Sequence, residues 1–338
     1  VIAPAGFGKT TAMLRWADVL SESGRSVLWI AARAGIDSLE TFLEALSQAC
    51  TVAGLGVAST DPRSWFVELG KRSGSAPILF IDDGQLLPKE VHEFVEQLIF
   101  SSRDGLTTVI ASRGENEVHL ARLRSLGYLL EIGMQDLSFD AEEASTLLRQ
   151  EIGSKPTASQ IQRMISDTQG WAAGLILASQ TWHKDSLREE KPERAESRLR
   201  YEYASYFHEE VVEGLPNELR NFIIDTSILK ELTPSACAAV IGQNEARHYL
   251  DEAFERGLFL IELDRELGEY RHYKLFREMV RGRLTKLAPQ RAAELHRRAS
   301  RFYAESGNYH LALEHAEQSA DQEFLATQIE NLAEQMIY

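Results

Sequence analysis

The sequence predicts a parallel α/β domain followed by three smaller, mostly helical parts. Three observations predict it. A glycine-rich turn ending in Gly8-Lys9-Thr10 lies between an apolar run and an amphipathic segment. An unbroken apolar run, Ile78-Leu79-Phe80-Ile81, ends on the acids Asp82 and Asp83. Beyond about residue 135 the apolar spacing turns from strand-like to helical, interrupted once by a short pair of β runs.

The turn is the most informative stretch. Residues 3–11 read Ala3-Pro4-Ala5-Gly6-Phe7-Gly8-Lys9-Thr10-Thr11. This fits the phosphate-loop pattern G-x-x-x-x-G-K-[ST], with Ala3 at the tolerated first position. A loop of this length must fold back so that successive backbone N–H groups converge on phosphate oxygens. Gly6 and Gly8 allow the required backbone angles. Lys9 offers a point charge to the β- and γ-phosphates, and the Thr10 hydroxyl is a ligand for Mg²⁺. The helix expected from about 10 to 21 adds its N-terminal dipole. A dinucleotide fingerprint does not fit, because Thr11 stands where a third small residue is needed.

Such a loop calls for a second strand ending in an acid. The run 77–83 supplies it, buried on both faces by its composition. Asp82 is expected to hold the metal's water shell, and Asp83 to orient or polarise an attacking water or to help hold the metal. Two further strands, 26–30 and 106–113, belong to the same sheet, as does a short fifth run at 128–132. Arg113, at a strand end, is placed to reach a γ-phosphate. Together these features predict an α/β P-loop NTPase domain with a parallel sheet at 1–135.

Asp140 with Glu143 forms a helix-capping pattern that opens a helical domain, 136–200. Within it Gly170 reads as a turn, and Trp171 as either core packing or a lid over a nucleotide base. Its tail, 183–200, is strongly charged and reads as a solvated helix or a linker. Helical periods then resume and end in two short β runs, Leu258-Phe259-Leu260-Ile261 and Tyr270-Arg271-His272-Tyr273, around a turn at 266–269. That order predicts a winged-helix domain at 201–285. Its acids (Glu252, Glu255, Glu262, Asp264, Glu266, Glu269) favour internal packing over DNA binding. The spacing of Phe302-Tyr303, Gly307-Asn308-Tyr309, Ala312 and His315-Ala316 resembles a tetratricopeptide-like hairpin, so 286–338 reads as the start of a helical repeat arm.

Composition narrows the function. The 338 residues carry 36 Lys+Arg against 51 Asp+Glu, a net charge of −15. Phosphate-backbone binding needs concentrated basic residues, so this chain is not expected to bind nucleic acid itself. Two distant cysteines make no disulfide framework or zinc pattern and fit a reducing, cytoplasmic setting. No apolar run reaches the ~20 residues of a membrane span, so no membrane partner is expected. The apolar beginning and end suggest a piece of a longer protein.

The ordered set Ala3-to-Thr11, Ile81-Asp82-Asp83, Ser112-Arg113, Asp136-Leu137-Ser138-Phe139, Gly170-Trp171-Ala172-Ala173-Gly174-Leu175 and Tyr270-Arg271-His272-Tyr273-Lys274-Leu275-Phe276 resembles the MalT family. These are signal-transduction ATPases with numerous domains (STAND), usually LuxR-type bacterial transcription activators. The resemblance covers essentially the whole chain. It implies a slow regulatory ATPase rather than a metabolic enzyme. ADP and Mg²⁺ would be clamped in a closed resting monomer, and ATP would release the clamp and permit self-association. Hydrolysis would reset the switch. The inducer and DNA would be bound by regions outside this chain. The family places a phosphate-reading histidine before its Leu-Phe segment. Here Tyr273 holds that place and His272 lies one position earlier, so either is a candidate. The alternative is a non-switching scaffold with permanently bound ADP. A metabolic kinase or hydrolase would need a substrate pocket that no motif supplies.

Overall fold

The computed structural model describes residues 1–32, 35–55, 76–101, 106–114, 120–152, 157–186 and 192–336. It divides into two compact units, Val1–Ser138 and Phe139–Tyr338.

The first unit is built on a parallel sheet of β1 (Val27–Ala31), β2 (Ile78–Asp82) and β3 (Thr107–Ile110), in that spatial order. The register sets Ile30 against Ile81 and Phe80 against Val109. Successive side chains of a strand point to opposite faces, and here both faces are buried. Leu79 and Ile81 join Leu28 and Ile30 under α2 (Leu39–Val52) and α3 (Lys89–Ser101), packing on Phe42, Leu46, Val91, Val95 and Leu98. Ile78 and Phe80 face the other way, onto Met13 and Ala17 of α1 (Lys9–Glu22). The continuous apolar run of β2 is the signature of such two-sided burial. Ser38 caps α2 reciprocally with Thr41, which fixes where the chain leaves the sheet.

Val1 and Ile2 lie beside β3 and extend the parallel order. Ser112 N–H donates to Val1 O at 2.9 Å, Ala3 N–H donates to Ser112 O at 3.2 Å, and Ile2 bridges Ser112. The run 128–132 is not the strand its composition predicts. Its only ladder contact among the described residues is Ile132 O, which accepts from Ile2 N–H at 2.8 Å. A strand needs a neighbour along its length, and Tyr128 and Leu130 instead remain exposed. A cleft of about 800 Å³ lies between Thr107–Ile110 and 128–132. Residues 3–11 take no part in its lining.

The second unit begins with α4 (Ala141–Glu151), α5 (Ala158–Thr168) and α6 (Ala172–Ser186). The Asp140–Glu143 capping box predicted from sequence is present, and Thr157 with Gln160 makes a second one. Ala144, Leu148, Ile161, Met164 and Leu175 form their shared core. Helix α7 (Pro192–Phe207) runs through position 200 and brings Tyr203 and Phe207 into a buried cluster. Three helices follow, α8 (Asn217–Thr226), α9 (Pro234–Ile241) and α10 (Ala246–Glu255). The hairpin of β4 (Leu260–Asp264) and β5 (Glu269–His272) comes next, antiparallel with an irregularity between Glu262 and Asp264. Leu232 bridges Tyr270, so the hairpin is tied back to the helices. Helices α11 (Lys274–Leu287), α12 (Pro289–Glu305), α13 (Tyr309–Gln318) and α14 (Gln322–Met336) complete the unit. The α12–α13 pair is the hairpin predicted from the Gly307-Asn308 break, and Asn308 caps α13 through Leu311 N–H. Among the described residues no helix is long and apolar enough to cross a membrane.

Three histidines of this unit are buried. His296 and His315 share one hydrogen bond between their Nδ1 atoms at 2.9 Å, and Tyr303 stacks on His315. Burial lowers both to about 4, although Glu314 opposes the shift in each. Burial, with Arg277 nearby, lowers His272 to about 3. Between about pH 6.5 and about 4 the unfolded chain therefore binds protons that the folded chain refuses. Stability present above pH 6.5 is expected to be lost as the pH falls through this window. Urea midpoints measured at pH 7 and pH 5 check this, and His272→Leu should remove part of the drop. Equal midpoints at the two values would contradict it.

Candidate nucleotide site

The site is assembled at the C-terminal ends of parallel strands, where an open α/β sheet offers its crevice. Gly6 and Gly8 both take left-handed angles, φ +77° and +81°, and Gly8 is also the N-cap of α1. A side chain at either position would be strained, so the loop's shape depends on them. Ala3, Ala5 and Phe7 are buried and pin the loop from below, and Pro4 is buried with them. Lys9 Nζ curls back over the loop and donates to Ala3 O at 2.7 Å and Pro4 O at 3.0 Å. Its ammonium thus lies against the carbonyls that open the loop.

The acid predicted to partner the loop is in place. Thr10 Oγ1 donates to Asp82 Oδ2 at 2.8 Å, across 72 residues of sequence. A hydroxyl and a carboxylate oxygen brought together beside a helix N-terminus are hard oxygen donors of the kind Mg²⁺ takes. The residues present therefore fit a magnesium–nucleotide: Thr10 and Asp82 would hold the cation, while Lys9 and the loop amides would hold phosphate. Bound there, the cation would neutralise charge on the phosphates. Thr11 is exposed on the next position of α1.

Asp83 follows with φ +55°, an uncommon conformation for a non-glycine residue that aspartate tolerates better than most. Its backbone N–H donates to Asp82 Oδ1 at 3.0 Å. Its carboxylate Oδ1 accepts from Gln85 Nε2 at 2.9 Å, and Gln85 Oε1 accepts from Arg113 N–H at 3.0 Å. Thr10, Asp82, Asp83 and the backbone of Arg113 are therefore linked by hydrogen bonds, with Lys9 beside Thr10 at the start of α1. Gln85 is the member that the sequence did not single out. Its position two residues after the acid pair was the only signal.

His272 and Tyr273 lie in the second unit, both buried there. The Tyr273 hydroxyl donates to Thr168 O. Neither ring nitrogen of His272 has a hydrogen-bond partner among the described residues. Trp171 is a core residue. It is fully buried, stacked on Phe207 at 4.8 Å between centroids and edge-on to Tyr206 and Phe259, so the lid reading is not borne out.

The fold is that of a P-loop NTPase. Residues 208–292 match the MalT winged helix domain. Over 336 residues, 94% of this chain, it is 27% identical to the serine/threonine-protein kinase PknK of Mycobacterium tuberculosis, and equally to that of Mycobacterium bovis. The chain spans about 30% of the length of these relatives. Among solved structures, a Walker-type ATPase of Pyrococcus abyssi is similar at TM-score 0.58 and 14% identity, over 83% of this chain and 89% of that one.

Proposed function

We propose that this chain is the nucleotide-binding core of a signal-transduction ATPase of the MalT-like STAND class, acting in a LuxR-type regulator of transcription. The observation that carries this is the Thr10–Asp82 hydrogen bond beside the Lys9 loop, a ready magnesium–nucleotide site followed in the same chain by a MalT winged helix. In this reading ADP holds a closed resting form and ATP an open one that self-associates. Slow hydrolysis through Asp82 and Asp83 resets it. Inducer and DNA are bound by other parts of a longer, cytoplasmic protein. The likeness to a stretch of PknK supports the reading of a module built into larger signalling proteins. Of the two candidates for reading phosphate from the winged helix, His272 has the unengaged nitrogens, whereas the Tyr273 hydroxyl is already committed.

The test is to purify the chain, release and identify its bound nucleotide, and time the exchange of labelled ADP for ATP. The switch reading expects ADP that exchanges within the life of a signalling response, with His272→Ala shortening ADP retention. Bound ADP that stays against excess ATP would favour the permanent scaffold. No bound nucleotide, together with no affinity for added ADP or ATP, would overturn both.

A further inference from the structure

We propose that Gln85 is a positioning residue for ATP hydrolysis: its side-chain amide joins the Asp83 carboxylate to the backbone of Arg113. This rests on the nucleotide-switch reading above and deepens it. The amide group is bifunctional. Its nitrogen donates to Asp83 Oδ1 at 2.9 Å while its oxygen accepts from Arg113 N–H at 3.0 Å. One planar group of fixed dimensions thus spans the two strand ends that border the crevice, one after β2 and the other after β3. The backbone reinforces the span, since Gly84 N–H donates to Ala111 O at 2.8 Å. Asp83 takes a left-handed backbone at φ +55°, which persists only where the surroundings over-determine it. Gln85 supplies one such constraint, within a single 3₁₀ turn, Gly84–Leu86.

The consequence is mechanical coupling. In hydrolysis the oxygen of a water forms a bond to the γ-phosphorus, and the bond from that phosphorus to the β-bridging oxygen breaks. ADP leaves with that electron pair, and the water's proton passes by way of Asp83 to the inorganic phosphate released. The transition state requires Asp83 to be held to within a fraction of an ångström. Gln85 fixes one of its carboxylate oxygens and makes that placement depend on the strand end carrying Arg113. A displacement at Arg113, on binding or losing a γ-phosphate, is thereby transmitted to the acid that handles the water. An ionised carboxylate could not make this bridge, because it only accepts, whereas Asp83 needs a donor and Arg113 N–H needs an acceptor.

The experiment uses the 338-residue chain and compares Gln85→Ala and Gln85→Glu with wild type. Affinity for Mg·ATP and single-turnover phosphate release are measured in parallel, and Gln85→Ala is repeated in an Asp83→Asn background. Gln85→Ala is expected to slow phosphate release about tenfold to a hundredfold, with ATP affinity within about twofold of wild type. Gln85→Glu keeps the acceptor for Arg113 but loses the donor to Asp83, and should be at least as slow. In the Asp83→Asn background, Gln85→Ala should add no further loss, because both act on one group. Wild-type rates in the Gln85 variants would overturn the assignment. So would losses of rate, affinity and thermal midpoint in step, additive with Asp83→Asn, which would mark a merely structural role. A wild-type chain that binds Mg·ATP yet releases no phosphate would overturn the assignment while leaving nucleotide binding intact. Absence of ATP binding in wild type would instead strike the underlying reading.

Discussion

Lys9→Ala is expected to weaken binding of ATP and of ADP by about a hundredfold or more. The substitution removes the one ammonium that the structure sets inside the phosphate loop, where it is held by Ala3 O and Pro4 O. Hydrogen bonds to a charged group are worth about 1.5–3 kcal/mol each. About 2.7 kcal/mol already corresponds to a hundredfold change in affinity. The loss should be larger for nucleotides bearing a β-phosphate than for AMP, because the charge serves the β- and γ-groups. Thr10→Ala should act differently. It deletes the hydroxyl bonded to Asp82, so the benefit of Mg²⁺ should fall while magnesium-free ADP binding is largely kept. Titration calorimetry with ATP, ADP and AMP, with and without Mg²⁺, resolves the two. Unchanged ATP and ADP affinity in Lys9→Ala would remove the basis for any nucleotide function here.

These residues were legible because the chemistry is local. A loop that wraps a phosphate needs its glycines, lysine and hydroxyl at fixed spacing, so residues 3–11 carry their own explanation. Asp82 was nearly as plain, since a two-sidedly buried strand ending in an acid has few other uses. The misreadings have a common physical cause. The run 128–132 has the composition of a strand, but a ladder depends on what lies alongside, and among the described residues only Ile132 makes a ladder contact. An aromatic flanked by glycines looks alike in a lid and in a core, and only the ring contacts of Trp171 decide between them. The amide of Gln85 earns its place by bridging positions 83 and 113, a proximity created by the β2–β3 pairing and invisible along the chain.

Trp171→Ala is expected to destabilise the second unit by about 3–5 kcal/mol, the range for emptying a large aromatic site in a core. The ring is fully buried and meets Tyr203, Tyr206, Phe207 and Phe259, from α7 and from the approach to the β-hairpin. It therefore joins the helical part of the unit to its winged-helix part. The same geometry explains the glycines on either side. Gly170 has φ +80°, and a Cβ there would stand 2.3 Å from Phe139 O. A Cβ on Gly174 would stand 2.4 Å from Trp171 Cε3, so its bareness is what lets the indole lie against its own helix. Gly174→Ala should thus reproduce much of the Trp171→Ala loss without removing any contact group, by displacing the ring. Gly170→Ala should be costly for a separate reason, since both its backbone angle and the neighbouring carbonyl resist a side chain. Because Trp171 and Gly174 act through one packing arrangement, their double variant should lose less than the sum of the single losses. Additive losses in denaturant melts would show that the glycine serves something other than seating the ring.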